Sequence, residues 1–181
     1  MACAVSRREF LRGNVTGRTT ALRPPWAMVE SEFVDRCDQC AECIKACPTH
    51  LIQAGSDGYP QINFLNGECD FCTACARACA TGALDHRDEA NQPIWSLAAT
   101  IEPTCIAFNG VLCRTCGEHC ETAAIRFVSV VGRGAMPQIN LERCTGCGAC
   151  VSVCPVKAVR MGPAESGRRV YNENVLVEMS V

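Results

Sequence analysis

Four cysteine runs dictate what this chain can fold into. Near its C-terminal end, Cys144, Cys147, Cys150 and Cys154 are separated by two, two and three residues, and Pro155 closes the run. The same spacing recurs at Cys37, Cys40, Cys43 and Cys47, closed by Pro48, and at Cys69, Cys72, Cys75 and Cys79, without the proline. The remaining run is irregular: Cys105, Cys113, Cys116 and Cys120 carry five extra residues between the first two cysteines, and Glu121 stands in the proline's place. Sixteen of the seventeen cysteines therefore fall into ordered quartets. The odd one, Cys3, matches no motif and is expected to be a free thiol.

The spacing has a chemical reading. A cubane [4Fe-4S] core has four iron corners, and each takes one soft thiolate. Three cysteines three apart wrap such a core as a tight loop. Gly146 and Gly148 let backbone amides approach the cluster sulfurs. Pro155 turns the chain away after the last cysteine. Zinc ribbons also use paired cysteines, but two pairs bind one tetrahedral ion, and the third evenly spaced cysteine favours a cluster. Four [4Fe-4S] clusters with all sixteen cysteines as iron ligands are expected, the one at the irregular run least securely. His119 lies inside that run and, beside an available cysteine, is not expected to ligate.

The segments between runs read as short hairpins. Leu51–Ala54 and Gln61–Phe64 predict two strands around a Gly55–Pro60 turn. Ala124–Val128 and Pro137–Leu141 predict a second pair around Val131–Gly134. The tetrapeptide Pro-Gln-Ile-Asn occurs at 60–63 and again at 137–140, before the second and fourth runs, which marks a duplication. Residues 94–98 and 157–160 are expected to be strands that open and close the second copy. The predicted fold is a small α+β protein of two tandem bacterial-type 2[4Fe-4S] ferredoxin modules, at 26–90 and 91–161. A basic flexible arm at 1–25 precedes them, and a tail at 162–181 follows. With low aromatic content, 6%, the clusters rather than a large apolar core would hold it together.

In two-cluster ferredoxins the fourth cysteine of each run serves the other cluster. Applied here, the rule groups Cys37, Cys40 and Cys43 with Cys79, and Cys69, Cys72 and Cys75 with Cys47. It likewise groups Cys105, Cys113 and Cys116 with Cys154, and Cys144, Cys147 and Cys150 with Cys120. The alternative is that each run closes on its own cube.

Charge narrows the function. The formal net charge of −2 does not suggest a nucleic-acid binder. The first 25 residues hold five arginines against Glu9, so they are +4 and the rest is −6. No apolar run is long enough for a membrane span. Ser6–Arg12 looks like a twin-arginine export motif, but the polar stretch Gly13–Thr20 follows where an apolar segment is needed. A retained, cytoplasmic tail is the expectation. No Gly-rich nucleotide loop, Ser/His/Asp arrangement or paired carboxylate accompanies the cysteines, so an electron-transfer or accessory role is expected rather than an independent enzyme.

The combination of features is more specific than the quartets. Arg7-Arg8-x-Phe10-Leu11-Arg12-Gly13, the box Arg23-Pro24-Pro25-Trp26, and four quartets with a long first gap in the third resemble the NapF family, over about residues 5–160. These are ferredoxin-type accessory proteins of periplasmic nitrate reductase systems. The resemblance implies a cytoplasmic iron–sulfur protein that binds the precursor of the catalytic subunit, NapA. It would assist insertion or reduction of that subunit's [4Fe-4S] cluster before export. The alternative is a single-electron carrier, or an electron-transfer subunit of a reductase complex.

Overall fold

The computed structural model describes residues 21–86, 94–132 and 134–164. The first twenty residues of the expected arm, including Cys3 and the paired arginines, lie outside these, as do most of the expected tail and part of the bridge between the halves.

The N-terminal half begins with Pro24 and Pro25, both fully buried. Helix α1 spans Glu30–Arg36, with Glu30 and Glu32 in its first turn and Arg36 in its last, charges that complement the helix dipole. It buries Phe33 completely. Arg23, assigned from sequence to the arm, packs on this half instead. Its guanidinium lies 5.1 Å from the Phe33 ring centre and 5.5 Å from that of Tyr59, and pairs with Glu30 at 2.7 Å. Helix α2 (Glu42–Ala46), strands β1 (Ile52–Ala54) and β2 (Pro60–Ile62), and helix α3 (Ala74–Arg77) follow. The half closes with a single bridge between Ala27 and Leu84.

The C-terminal half repeats this order. Strand β3 (Leu97–Ile101) leads to a 3₁₀ turn at Ile106–Asn109, helix α4 (Thr115–Glu118), strands β4 (Ile125–Val130) and β5 (Gly134–Ile139), helix α5 (Ala149–Ser152) and strand β6 (Val159–Pro163). All strand pairs are antiparallel: β1 with β2, β4 with β5, and β3 with β6. The 3₁₀ turn accommodates the five extra residues of the irregular run.

The strand positions differ from the sequence expectation for identifiable reasons. Both inner hairpins lie where expected, but β2 and β5 stop before Asn63 and Asn140. The side-chain oxygen of Asn63 accepts the Leu65 N–H, and that of Asn140 accepts the Glu142 and Arg143 N–H groups. These side chains offer the backbone an alternative to the ladder. Strand β6 starts at Val159 rather than 157 because Lys157 is left-handed, with φ 52°. It runs to Pro163, past the boundary expected at 161. Strand β3 begins at Leu97 rather than Ile94, because its ladder with β6 starts at the Leu97–Pro163 pair.

The two halves share one apolar core. Their contact is direct: the Cys69 N–H donates to the Cys147 carbonyl at 2.9 Å. Trp95 packs edge-on against Phe64 and Phe71, with ring centres 5.8 and 5.9 Å away. Phe64 packs against Gly148, where a Cβ atom would collide with its ring.

Candidate iron–sulfur sites

Each run is shaped in two parts, an entry loop and an exit turn. In the entry loop, the residues flanking the second cysteine are left-handed: Gln39 and Ala41 in the first run, Phe71 and Thr73 in the second, Gly146 and Gly148 in the fourth. Left-handed backbone costs a non-glycine residue roughly 1–2 kcal/mol. Such strain persists where surrounding structure fixes it, commonly at functional sites. It curls the loop so that the chain enters the short helix carrying the third cysteine, which is buried in all four runs. Asp38 and Asp70 support the first two curls by accepting the N–H of Cys40 and Cys72, each at 3.2 Å. The third run needs no such curl. Its longer loop reaches Cys113 through left-handed Gly110, and Arg114 keeps a negative φ.

The exit turn is the same in all four runs. Three residues beyond the fourth cysteine the backbone is left-handed, at His50, Gly82, Ala123 and Lys157. The N–H of each donates back to the carbonyl of Cys47, Cys79, Cys120 or Cys154, at 2.9–3.4 Å. The next residue, Leu51, Ala83, Ala124 or Ala158, is at most 1% exposed. The turn aims backbone N–H groups at sulfur: Leu84 N–H to Cys79 Sγ at 3.4 Å, and Ala124 and Ala158 N–H to Cys120 and Cys154 Sγ at 3.2 Å each. Threonine hydroxyls lie 3.5–3.6 Å from Cys47, Cys79 and Cys120, supplied by Thr49, Thr81 and Thr122.

The exit turns of the first, second and fourth runs send their last cysteines, Cys47, Cys79 and Cys154, to the neighbouring run. One cavity is lined by Cys37, Cys40, Cys43 and Cys79, a second by Cys47, Cys69, Cys72 and Cys75, and a third by Cys105, Cys113, Cys116 and Cys154. The three cavities are small and of similar size. The irregular run thus brings Cys105 to the same corner as its regular counterparts. At the fourth run, Cys147 and Cys144, together with Cys116 of the third run, add to the burial that raises the Cys150 thiol. His119 is exposed, its Nδ1 2.9 Å from the Thr115 carbonyl.

Burial raises the thiols within these sets. Cys43, Cys69 and Cys116 are pushed up to about 11, and Cys75 and Cys150 to about 12, with neighbouring cysteines adding to the effect. Free, these groups stay protonated at neutral pH, so metal must displace a proton from each. Cys120 goes the other way: burial pushes it up, but the Thr122 hydroxyl and nearby N–H groups outweigh that and lower it.

The residues fit a polynuclear group. Among the described residues, no three His, Cys, Asp or Glu side chains converge closely enough to hold a single ion. The cysteines surround cavities instead, as the corners of a cube require. The second cavity is also lined by Trp26, whose indole N–H is buried without a partner. Leaving such a donor unmet costs about 1–3 kcal/mol, so a bound acceptor is the natural complement. The indole, the threonine hydroxyls and the two aspartates escaped the sequence reading. The threonines were detectable there, since three of the four runs place Thr two residues after the last cysteine.

Comparison with known proteins agrees with this chemistry. Residues 36–84 match the model of a 4Fe-4S dicluster domain, and residues 137–160 that of a 4Fe-4S binding domain. The chain is 42% identical to the ferredoxin-type protein NapF of Haemophilus influenzae, over 86% of this chain and 92% of that one. It is 41% identical to NapF of Escherichia coli K12, over 88% and 95%. A methylamine utilization ferredoxin-type protein, MauM of Methylorubrum extorquens, is 33% identical over 81% of this chain and 74% of its own.

Proposed function

The chain belongs to the NapF family of ferredoxin-type iron–sulfur proteins, and from that premise we propose that it serves the periplasmic nitrate reductase system as a maturation factor. In this reading it comprises two tandem 2[4Fe-4S] ferredoxin modules with four clusters on sixteen cysteines. It acts in the cytoplasm without catalysing a reaction of its own. Its partner is the precursor of the catalytic subunit NapA, and its task is to help insert or reduce that subunit's [4Fe-4S] cluster before export. When bound, the clusters supply single-electron exchange or labile iron–sulfur units. The chain supplies ligands, sulfur-directed N–H groups and a docking surface. The basic segment at 1–20 and the acidic remainder offer complementary charge for a partner.

The placing in the nitrate reductase system rests on the likeness to NapF, and the observation that supports the cluster-binding part of this reading is the cavity lining. Three cavities each gather three cysteines of one run and the fourth of its neighbour, the ligand exchange of two-cluster ferredoxins. Pull-down of the NapA precursor with the full chain and with a chain lacking residues 1–25, followed by iron quantification on the recovered partner, tests it. Retention of precursor by the full chain and a higher iron content in NapA are expected. NapA carrying its normal cluster when made without this protein would defeat the maturation role.

A second reading, an electron carrier, is favoured by the contact between halves. The Cys69 N–H to Cys147 carbonyl bond sets the second and fourth runs side by side, as a relay needs. Loss of electron flow with fully loaded NapA would support it.

A further inference from the structure

Trp26 is held where a tryptophan has no local reason to be. Its backbone is left-handed, with φ 60°, an outlier for a bulky residue. Three backbone contacts keep it there: its N–H donates to the Ile94 carbonyl at 2.9 Å, its carbonyl accepts the Asp85 N–H at 2.9 Å, and Ala27 next to it bridges Leu84. Buried Pro24 and Pro25 stiffen the approach. The residue is 9% exposed and lines the cavity of Cys47, Cys69, Cys72 and Cys75. Its Nε1 is the one buried side-chain polar atom, among the described residues, without a hydrogen-bond partner. The other tryptophan shows the ordinary outcome, Trp95 Nε1 donating to the Thr145 carbonyl at 3.0 Å. A strained backbone that fixes an indole with an unmet donor on the lining of a cysteine-bearing cavity suits a bound acceptor.

We propose that the Trp26 indole N–H donates a hydrogen bond to a sulfur of the cluster held by Cys47, Cys69, Cys72 and Cys75, and raises that cluster's reduction potential. This rests on the ligand assignment proposed above. No bond breaks and the proton stays on nitrogen. The bond is stronger to the one-electron-reduced state, which carries more negative charge on sulfur. The donor therefore makes this site a better electron acceptor.

The test is Trp26→Phe in the full chain, loaded anaerobically. Iron and acid-labile sulfide are counted first, then each cluster is titrated with dithionite and followed by EPR. One potential should shift to a more negative value while the others stay in place. Unmoved potentials, or an upward shift, with all clusters present would overturn the proposal. Wild-type protein without a cluster at this site would instead defeat the ligand assignment. Should the variant lose the cluster, wild-type protein carrying ¹⁵N-indole decides. In the reduced state, ENDOR should show a coupling to the Trp26 nitrogen or its exchangeable proton, assigned by its persistence in Trp95→Phe. Absence of that coupling would also overturn the proposal.

Discussion

The two halves carry the same cysteine geometry on different supports. Their exit turns share the left-handed third position and the buried fourth. Their entrances and closures do not. The N-terminal half closes through one bridge at Ala27–Leu84, backed by α1 and by Phe33, Tyr59 and Arg23 stacked together. The C-terminal half closes through the five-residue β3–β6 ladder. It also has the longer inner hairpin, with β4 and β5 paired from Ile125–Ile139 to Val130–Gly134. What the cavities demand is the exit turn, because it sets where the fourth sulfur goes. The closure is interchangeable, since a strand ladder and an aromatic cluster both bring the ends of a half together.

The largest test of this equivalence is the exchange of fourth cysteines. Cys79→Ser should cost the first site its cluster, and Cys154→Ser the third, each removing about four irons per chain. Adding Cys40→Ser to Cys79→Ser should release no further iron, because both line one cavity. Adding Cys72→Ser should release a second cluster. The reverse pattern would mean that each run closes on its own site and that the shared exit turn serves only packing.

Removing the aromatic support should separate the halves. Phe33 is fully buried, and Phe33→Ala should lower stability by about 3–5 kcal/mol, read as an earlier denaturation midpoint of the loaded protein. The first two sites should bleach before the last two, which the β3–β6 ladder protects. Simultaneous loss of all four would show that the common core, rather than separate closures, governs cooperativity.

The entrances differ at the residue after the second cysteine, and so should their response to one methyl group. Gly148→Ala adds left-handed strain and a collision with Phe64, together about 3 kcal/mol of destabilisation. Ala41→Gly at the equivalent place relieves strain and should stabilise by about 1 kcal/mol. Thermal midpoints of the two loaded variants should therefore move in opposite directions. Movement in the same direction would break the equivalence of the two loops.

Cysteine spacing made the sites legible because ligand number and reach are local properties. The duplicated Pro-Gln-Ile-Asn located both inner hairpins for the same reason. The closures were legible only in part: strands near 94–98 and 157–160 were expected, but neither their pairing nor the Ala27–Leu84 bridge was. The Ala27–Leu84 and β3–β6 contacts join residues far apart in sequence, and neither end has a strong alternation of apolar and polar residues. Helix α1 was missed because a single seven-residue helix shows barely two turns of periodicity. Arg23 read as part of a basic tail, since sequence showed its charge but not the two rings it covers.

The smallest effect tests the one gap in the shared exit. Thr49, Thr81 and Thr122 bring hydroxyls to the fourth sulfurs of three runs, whereas Val156 stands in that position after Cys154. The Ala158 N–H still reaches Cys154 Sγ, so this exit keeps one donor where Cys120 has two. Thr122→Val should therefore make the Cys120 exit resemble the Cys154 exit and, if Cys120 is a cluster ligand as proposed, weaken the loaded state by about 0.5–1.5 kcal/mol. Val156→Thr should do the converse at Cys154. Rates of iron transfer to a chelator measure both: faster release from one site in the first variant, slower in the second. Unequal responses would locate the difference between the halves in the entry loops, where the irregular run lacks the left-handed curl, and not in the exits.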